Sequence, residues 1–318
     1  MAEERLYLER PLRLTIGVFT GYDSNIVSKP TDSSVASGIT GEEGTVLSSS
    51  VRLDYVPKLE GPWLFNAQYA VASTVNSKNT HSHDTLANSF SISPGYNFGR
   101  FSLNLNANYT NVLLRTDPDI APAADSSPGY KRYLDYTSIG PILRVLLNQN
   151  NIIELFAGYD KKEYFNQKIL SPDADRDSVG PRTYLSWIWL FRENSFLNLR
   201  YDYNRESADG RQWTNDGNRL TANVSFPVIS EERAKRIGPV TMQLTGSAFF
   251  QDYDYEINYG IVTKARKDEI YTGSAALTWR FWKYASLIAQ YTRTQNKSNV
   301  PIYEYNRDQC SAGFEFRF

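Results

Sequence analysis

The chain has 318 residues, with 34 basic and 35 acidic side chains, 14% aromatic residues including 22 Tyr, and a mean hydropathy of −0.48. Near-balanced charge gives no bulk attraction to nucleic acid or another polyanion, and the single Cys310 excludes an internal disulfide framework and a cysteine metal cluster. No run approaches the roughly 18–20 apolar residues of a membrane helix, 185–191 being among the longest, while the length suffices for two ordinary domains or one large closed sheet.

Residues 1–9 are polar and charged, and read as a lead-in or the scar of a removed domain. Met1-Ala2-Glu3-Glu4 lacks the basic start and apolar core of a signal peptide, so an exported protein would stand here in a mature or excised form with an added Met. From Leu12 a period-two alternation begins and repeats to the end of the chain. It predicts fourteen strands, over 10–25, 45–57, 62–76, 85–98, 100–115, 131–147, 150–165, 182–192, 195–207, 217–228, 238–254, 268–282, 284–296 and 303–318. Phe101, Leu103, Leu105, Ala107 and Tyr109 alternate with Ser102, Asn104, Asn106, Asn108 and Thr110, and Leu197, Leu199, Tyr201 and Tyr203 alternate with Asn198, Arg200, Asp202 and Asn204. Nowhere does a helical period run to comparable length.

The connections alternate long and short. Long ones fall around 27–44, 77–84, 116–130, 166–181, 206–217, 255–267 and 296–303, rich in Pro, Asp, Ser, Asn and Gly as solvated loops should be. Short ones fall at 56–62, 98–100, 148–151, 192–195 and 282–284, with 230–236 a longer, highly charged exception. Five of the six Trp (Trp63, Trp187, Trp189, Trp279 and Trp282) cluster near the short turns. Long loops at one end, short turns at the other and an aromatic girdle near the short turns are the signature of a bacterial outer-membrane barrel. A soluble β-sandwich explains aromatics beside turns but not their one-sided clustering. The expected fold class is therefore all-β, a transmembrane antiparallel up-and-down β-barrel of about fourteen strands over 10–318. On this reading residues 1–9 are periplasmic and the five Trp form a periplasmic girdle.

If the apolar face meets lipid, the lumen receives Arg13, Arg52, Asp54, Arg144, Glu154, Asp160, Lys162, Arg200, Asp202, Arg219, Arg280, Glu315 and Arg317. Such charges pair across neighbouring strands and stiffen the wall; a basic excess also lowers the entry barrier for anions. Fourteen strands lie between the filled interior of about eight and the open channel of about sixteen. A pore is geometrically feasible, and loops 27–44, 116–130 and 166–181 are long enough to close it. The chain stops on Gly313-Phe314-Glu315-Phe316-Arg317-Phe318, three phenylalanines alternating with two charges. Termini usually fray, so a large apolar last residue points to a strand that must be structured, as when the last strand pairs with the first. Gly313, Phe314, Phe316 and Phe318 resemble the C-terminal assembly signal of bacterial outer-membrane proteins.

Motifs that carry catalysis are nearly absent. The only histidines, His81 and His83, sit in Thr80-His81-Ser82-His83-Asp84, where a solvated external loop is a better reading than a metal site. No positioned serine and base, Gly-rich phosphate loop or Cys pair is present. No catalytic residue, metal or cofactor is expected.

The entry strand contains Gly21-Tyr22-Asp23-Ser24-Asn25-Ile26. This segment resembles the first barrel strand of outer-membrane proteins whose barrel follows a periplasmic tetratricopeptide-repeat domain. The surface lipoprotein assembly modifiers, also with fourteen-stranded barrels, are one such group, and the exopolysaccharide-export barrels are another. No 34-residue helical repeat is present, so the resemblance covers the barrel only. It implies a transport conduit, exporting a polymer or protein, with loops that gate the lumen. Two other readings stay open: a passive porin-like channel for small hydrophilic solutes, and a plugged structural or adhesive barrel. Expected partners are outer-membrane lipid and lipopolysaccharide, the barrel assembly machinery, and a periplasmic repeat domain or export partner, with no nucleic acid; a monomer is expected.

Overall fold

The computed structural model describes residues 10–36, 43–77, 83–116, 129–165, 175–229, 234, 237–259 and 262–318. The predicted lead-in at 1–9 and His81 lie outside the described residues. Fourteen strands follow one another: β1 (Leu12–Asp23), β2 (Gly44–Tyr55), β3 (Trp63–Asn76), β4 (Thr85–Asn97), β5 (Phe101–Thr116), β6 (Gly129–Asn148), β7 (Asn151–Tyr164), β8 (Ser178–Arg192), β9 (Ser195–Ala208), β10 (Asn215–Ile229), β11 (Val240–Tyr259), β12 (Val262–Trp282), β13 (Ala285–Ser298) and β14 (Tyr305–Arg317). Each pairs antiparallel with its neighbours in sequence, and β14 returns to β1, so the barrel is closed. Closure is what a sheet in hydrocarbon requires, since an open edge would leave backbone N–H and C=O groups with no water to bond.

The predicted strands and the observed ones agree closely, with one difference of kind. Of the stretch 255–267, expected as a long loop, 255–259 and 262–267 extend the paired strands β11 and β12, with Glu256 opposite Ala265 and Tyr259 opposite Val262. A register shift between Asp252 and Glu256 separates this upper part from the main ladder. Polar composition suggested a loop, but Tyr255, Ile257 and Tyr259 keep the period of two and are good strand formers. The short turns use residues suited to them. In the β4–β5 turn Gly99 takes φ +95° while its N–H donates to Asn97 Oδ1 at 2.9 Å, and Phe98 N–H donates to Phe101 O at 2.8 Å. Gly tolerates that φ at no steric cost.

Burial is reversed relative to a soluble domain. Leu105, Leu199, Leu220, Leu185 and Leu103 are all exposed, while few apolar side chains, Phe156 and Val300 among them, are buried. Their exposure follows from the pleat: alternate residues on every strand point outward around the whole ring, where lipid rather than a second sheet covers them.

The β1–β14 seam runs from Thr15 opposite Arg317 to Asp23 opposite Gln309. At one end Leu14 and Phe318 exchange backbone hydrogen bonds of 3.0 and 2.8 Å, so the last residue of the chain is part of the closure. At the other end the Asp23-Ser24-Asn25 segment is tied across to β14. Asp23, only 2% exposed, accepts from Arg307 Nε (2.9 Å) and Gln309 Nε2 (2.8 Å); Ser24 Oγ accepts from Asp308 N–H (2.8 Å); Asn25 Nδ2 donates to Asn306 O (2.9 Å). The segment that carried the family resemblance thus locks one end of the seam.

Candidate functional site

The inward face of the barrel is identified by side chains that reach past a neighbouring strand. Lys162 on β7 pairs with Glu206 on β9, and Arg182 on β8 donates to Tyr136 Oη on β6 at 3.0 Å. Each contact skips one strand, as the concave side favours, because side chains converge there. Following the register from these residues assigns a face to the rest. Arg144 and Glu154 are opposite one another, as are Arg200 and Thr221, Asp202 and Arg219, Tyr136 and Lys162, and Ser138 and Asp160. Between β1 and β2 Arg13 opposes Asp54 and Thr15 opposes Arg52, and across the β1–β14 seam Thr15 opposes Arg317 and Gly17 opposes Glu315. All these residues share the inward face. Arg280 is different: it lies in the irregular stretch between Trp279 and Trp282, where its N–H donates to Pro239 O at 3.0 Å, and the register assigns it no face.

Most of these charges are paired. Arg52 Nε donates to Asp54 Oδ2 at 3.1 Å, with Gln68 Nε2 on the other carboxylate oxygen at 3.1 Å. Arg317 Nε donates to Glu315 Oε1 at 2.7 Å. Arg144 Nε and Tyr184 Oη donate to the two oxygens of Glu154, the latter at 2.6 Å. Arg200 Nε donates to Asp202 Oδ2 at 2.8 Å, and Tyr136 Oη to Asp160 Oδ2 at 2.7 Å. Sequence reasoning missed Arg182, Glu206, Asp23 and Arg307, which also face inward. All four lie inside the predicted strands, near their long-loop ends, and simple parity from Arg200 or Arg317 would have reached Glu206 and Arg307.

The mouth at the long-loop end is partly filled from above. The single 3-10 turns Arg211–Trp213 and Pro301–Tyr303 bring Trp213 and Tyr303 over Arg266. The Arg266 guanidinium carbon stands 3.5 Å from the Tyr303 ring centroid, 4.5 Å from that of Tyr253 and 5.9 Å from that of Trp213, and the group pairs with buried Asp268. Loops 209–214 and 299–304 therefore supply this packing; much of 27–44, 116–130 and 166–181, the segments singled out for closure, lies outside the described residues. In the β1–β2 loop, Ser34 donates to Asp32 Oδ1 through both Oγ and N–H, at 2.7 and 2.8 Å, which holds the exposed carboxyl below its usual range.

His83 is exposed beside a fully buried Asp84. That carboxylate accepts from Asn76 N–H at 2.6 Å and from Arg115 at 3.4 Å, so it ties the top of β3 to β4 and β5. Among the described residues, Asp175, Asp177 and Asp209 bring three carboxylates together at the same end. They are used locally: Tyr164 N–H donates to Asp177 at 2.5 Å and Asp177 N–H to Asp175 at 3.0 Å.

The outward face has two boundaries. Near the short turns aromatic rings pack in series: Trp63 on Tyr96 (centroids 5.0 Å apart), Phe98 on Phe101 (4.6 Å), Trp187 on Trp189 (6.2 Å), Trp279 on Phe281 (5.5 Å), Trp282 on Tyr284 (5.3 Å) and Tyr284 on Phe318 (6.0 Å). Trp187 Nε1 donates to Asn151 Oδ1 at 3.0 Å, so the indole keeps a polar contact at the boundary. Toward the long loops outward charges return as compact groups, with Tyr109 and Asn111 on Asp135 at 2.8 and 2.7 Å, Arg205 on Asp216 at 2.6 Å, and Arg293 on Asp308 at 3.4 Å. The band between is apolar.

A closed antiparallel wall with a greasy outer belt, an aromatic rim at the short-turn end and charges directed inward defines a bacterial outer-membrane β-barrel. The family model described as surface lipoprotein assembly modifier matches residues 15–318, and the chain belongs to that family. Its place is the bacterial outer membrane. Among solved structures it is similar to CdiB from Acinetobacter baumannii, with 11% identity and a TM-score of 0.50 over 97% of this chain and 60% of that one. The chain thus spans about 60% of the length of that structure, and the likeness is one of fold. OmpT of Vibrio cholerae (7% identity, TM-score 0.49, 98% of this chain and 99% of that one) is also similar. So is an anion-selective porin from Comamonas acidovorans (10% identity, TM-score 0.46, 96% and 98%). No curated protein sequence matches the chain.

Proposed function

We propose that this barrel is a non-enzymatic conduit through which a polypeptide destined for the cell surface as a lipoprotein crosses the outer membrane from the periplasmic side. The observation that carries the reading is the surface lipoprotein assembly family match over residues 15–318. The inward face supports it. Ion pairs and amides line the wall, and they offer an extended chain polar partners without a continuous apolar surface to hold it. The test is removal of the protein from a bacterium that displays a surface lipoprotein. Antibody labelling of intact cells is expected to fall while the total lipoprotein measured in lysates stays constant, and re-expression should restore labelling. Unchanged labelling in the deletion strain would refute the conduit.

The reading includes assembly. Gly313, Phe314, Phe316 and Phe318 serve as the signal read by the barrel assembly machinery, while the five girdle Trp meet the periplasmic lipid boundary and the outer belt meets lipid and lipopolysaccharide. Deleting Phe318 should slow insertion in cells, because the missing residue also forms the last backbone link to Leu14. A pulse-chase following protease-resistant barrel should show a slower rise. An equal rate would mean that the terminal aromatic is not read.

A further inference from the structure

One wall of the interior differs from the rest. On β8, β9 and β10 the register places Tyr184, Asp202 and Arg219 in one transverse row, continued on β11 by Phe249. Arg182 stands one row toward the long-loop end, and Arg200 one row toward the short turns. Two of the guanidinium groups lie on rings: Arg200 is 3.7 Å from the centroid of Tyr184 and Arg219 is 4.3 Å from that of Phe249. Gly217 makes room for the second ring, since a Cβ there would sit 2.9 Å from Phe249 Cε2. Stacking fixes the plane of a guanidinium and leaves its N–H edge available for a flat, two-oxygen acceptor.

The three arginines differ in what they already hold. Arg200 is bonded to Asp202, and Arg182 lies 3.6 Å from Asp202 and 3.8 Å from Asp160. Arg219 makes no hydrogen bond and no ion pair among the described residues, and it is exposed to the interior. Across the barrel, β2 and β3 present Ser48, Ser50, Ala72 and Thr74 above the Arg52–Asp54 pair, which is matched within itself and leaves no free carboxylate for Arg219. A cation with unbonded N–H groups, whose one facing carboxylate (Asp202) is shared with two other arginines, attracts oxyanions.

We propose that Arg219, flanked by Arg200 and Arg182, is an oxyanion-binding site in the barrel interior that takes the Asp and Glu side chains of an acidic polypeptide segment in transit. The polypeptide part rests on the conduit reading; the site itself does not. A carboxylate would lie in the plane of the Arg219 fork and receive two parallel N–H bonds, a geometry that lysine cannot reproduce.

The test is binding of a fluorescein-labelled peptide of alternating Glu and Ser to the purified full-length barrel in detergent, read by anisotropy. The Glu-Ser peptide should bind and a Gln-Ser peptide should not. Arg219→Gln should weaken binding by about tenfold, the loss of one charge-assisted pair, with Arg219→Lys recovering only part. Arg52→Gln, which removes an inward cation already held by Asp54, should change the affinity much less. Heat-modifiable gel mobility would confirm that each variant is folded. Equal affinity of wild type and Arg219→Gln, or an equal loss in Arg52→Gln, would overturn the site. Displacement by inorganic phosphate as effective as by unlabelled peptide, at matched charge, would assign the site to small anions and overturn the polypeptide assignment. Binding is measured apart from surface display. Lost Arg219 dependence with display intact would refute the site alone, and unchanged display in the deletion strain with Arg219-dependent binding would refute the conduit alone.

Discussion

Replacing Gly313 by alanine is expected to destabilise the barrel by about 3 kcal/mol or to stop it closing, as overpacking against backbone does. A Cβ at this position would lie 2.1 Å from Val18 O and 2.6 Å from Phe19 Cα, both backbone atoms of the partner strand. Neither can swing away as a flexible side chain would. Strand spacing is set by the hydrogen bonds themselves, at roughly 4.8 Å, so relief requires moving β1 and lengthening bonds in the one seam that joins the ends of the chain. The inward ring of Phe19 adds to the crowding, its Cδ1 also 2.6 Å from the added carbon. Gly246 is the matched control, because a Cβ there meets nothing within 4 Å. Gly246→Ala should stay within about 0.5 kcal/mol of wild type. Urea titration of the two variants in lipid vesicles, with unboiled gel mobility as the readout of closure, decides between them. Equal midpoints would mean that the seam adapts more easily than its geometry implies.

Leu199→Arg is expected to cost about 2–4 kcal/mol or to block insertion, the range for a charge on the lipid face near mid-membrane. Leu199 lies near the middle of β9, is 40% exposed, and sits between outward Trp187 on β8 and Ala222 on β10. Its neighbour Asn198 points the other way, where Ser186 Oγ donates to Asn198 Oδ1 at 2.7 Å. Asn198→Arg should therefore insert, because a long cation in the interior can reach water and the Glu154 side of the wall. The pair separates the two faces cleanly. Normal insertion of Leu199→Arg together with failure of Asn198→Arg would show that the faces are inverted.

These predictions draw on different amounts of sequence information. That Leu199 and Asn198 face opposite sides follows from the period of two alone, and so does the placing of Arg13, Arg52, Arg200 and Arg219 each on the polar side of its own strand. The contrast between Gly313 and Gly246 does not. Both are glycines in strands, and only the packing of β1 against β14 distinguishes a glycine that must be bare from one that faces open lipid. The same holds for charge. Arg219 and Arg200 look alike in the chain, yet Asp202 is bonded by Arg200 and approached by Arg182, which leaves Arg219 without a bonded carboxylate among the described residues. Asp84 read as one part of an external histidine pair and proved to be a buried anchor for Asn76 and Arg115. In 255–267 polar composition outweighed periodicity in the reading, whereas cross-strand bonding decided for paired strands.

The amino-acid sequence by itself determined the barrel: alternation sets which side chains face out, turn residues set where strands end, and long and short connections set which end is which. All of these are local properties, written within a few residues of one another. Only the tertiary structure decided how the ring is joined, which carboxylate each arginine holds and which loops reach over the mouth. Those outcomes depend on residues far apart in the chain, such as Asp23 with Arg307 and Trp213 with Arg266. Register and curvature bring them together, and no local pattern encodes the distance between them.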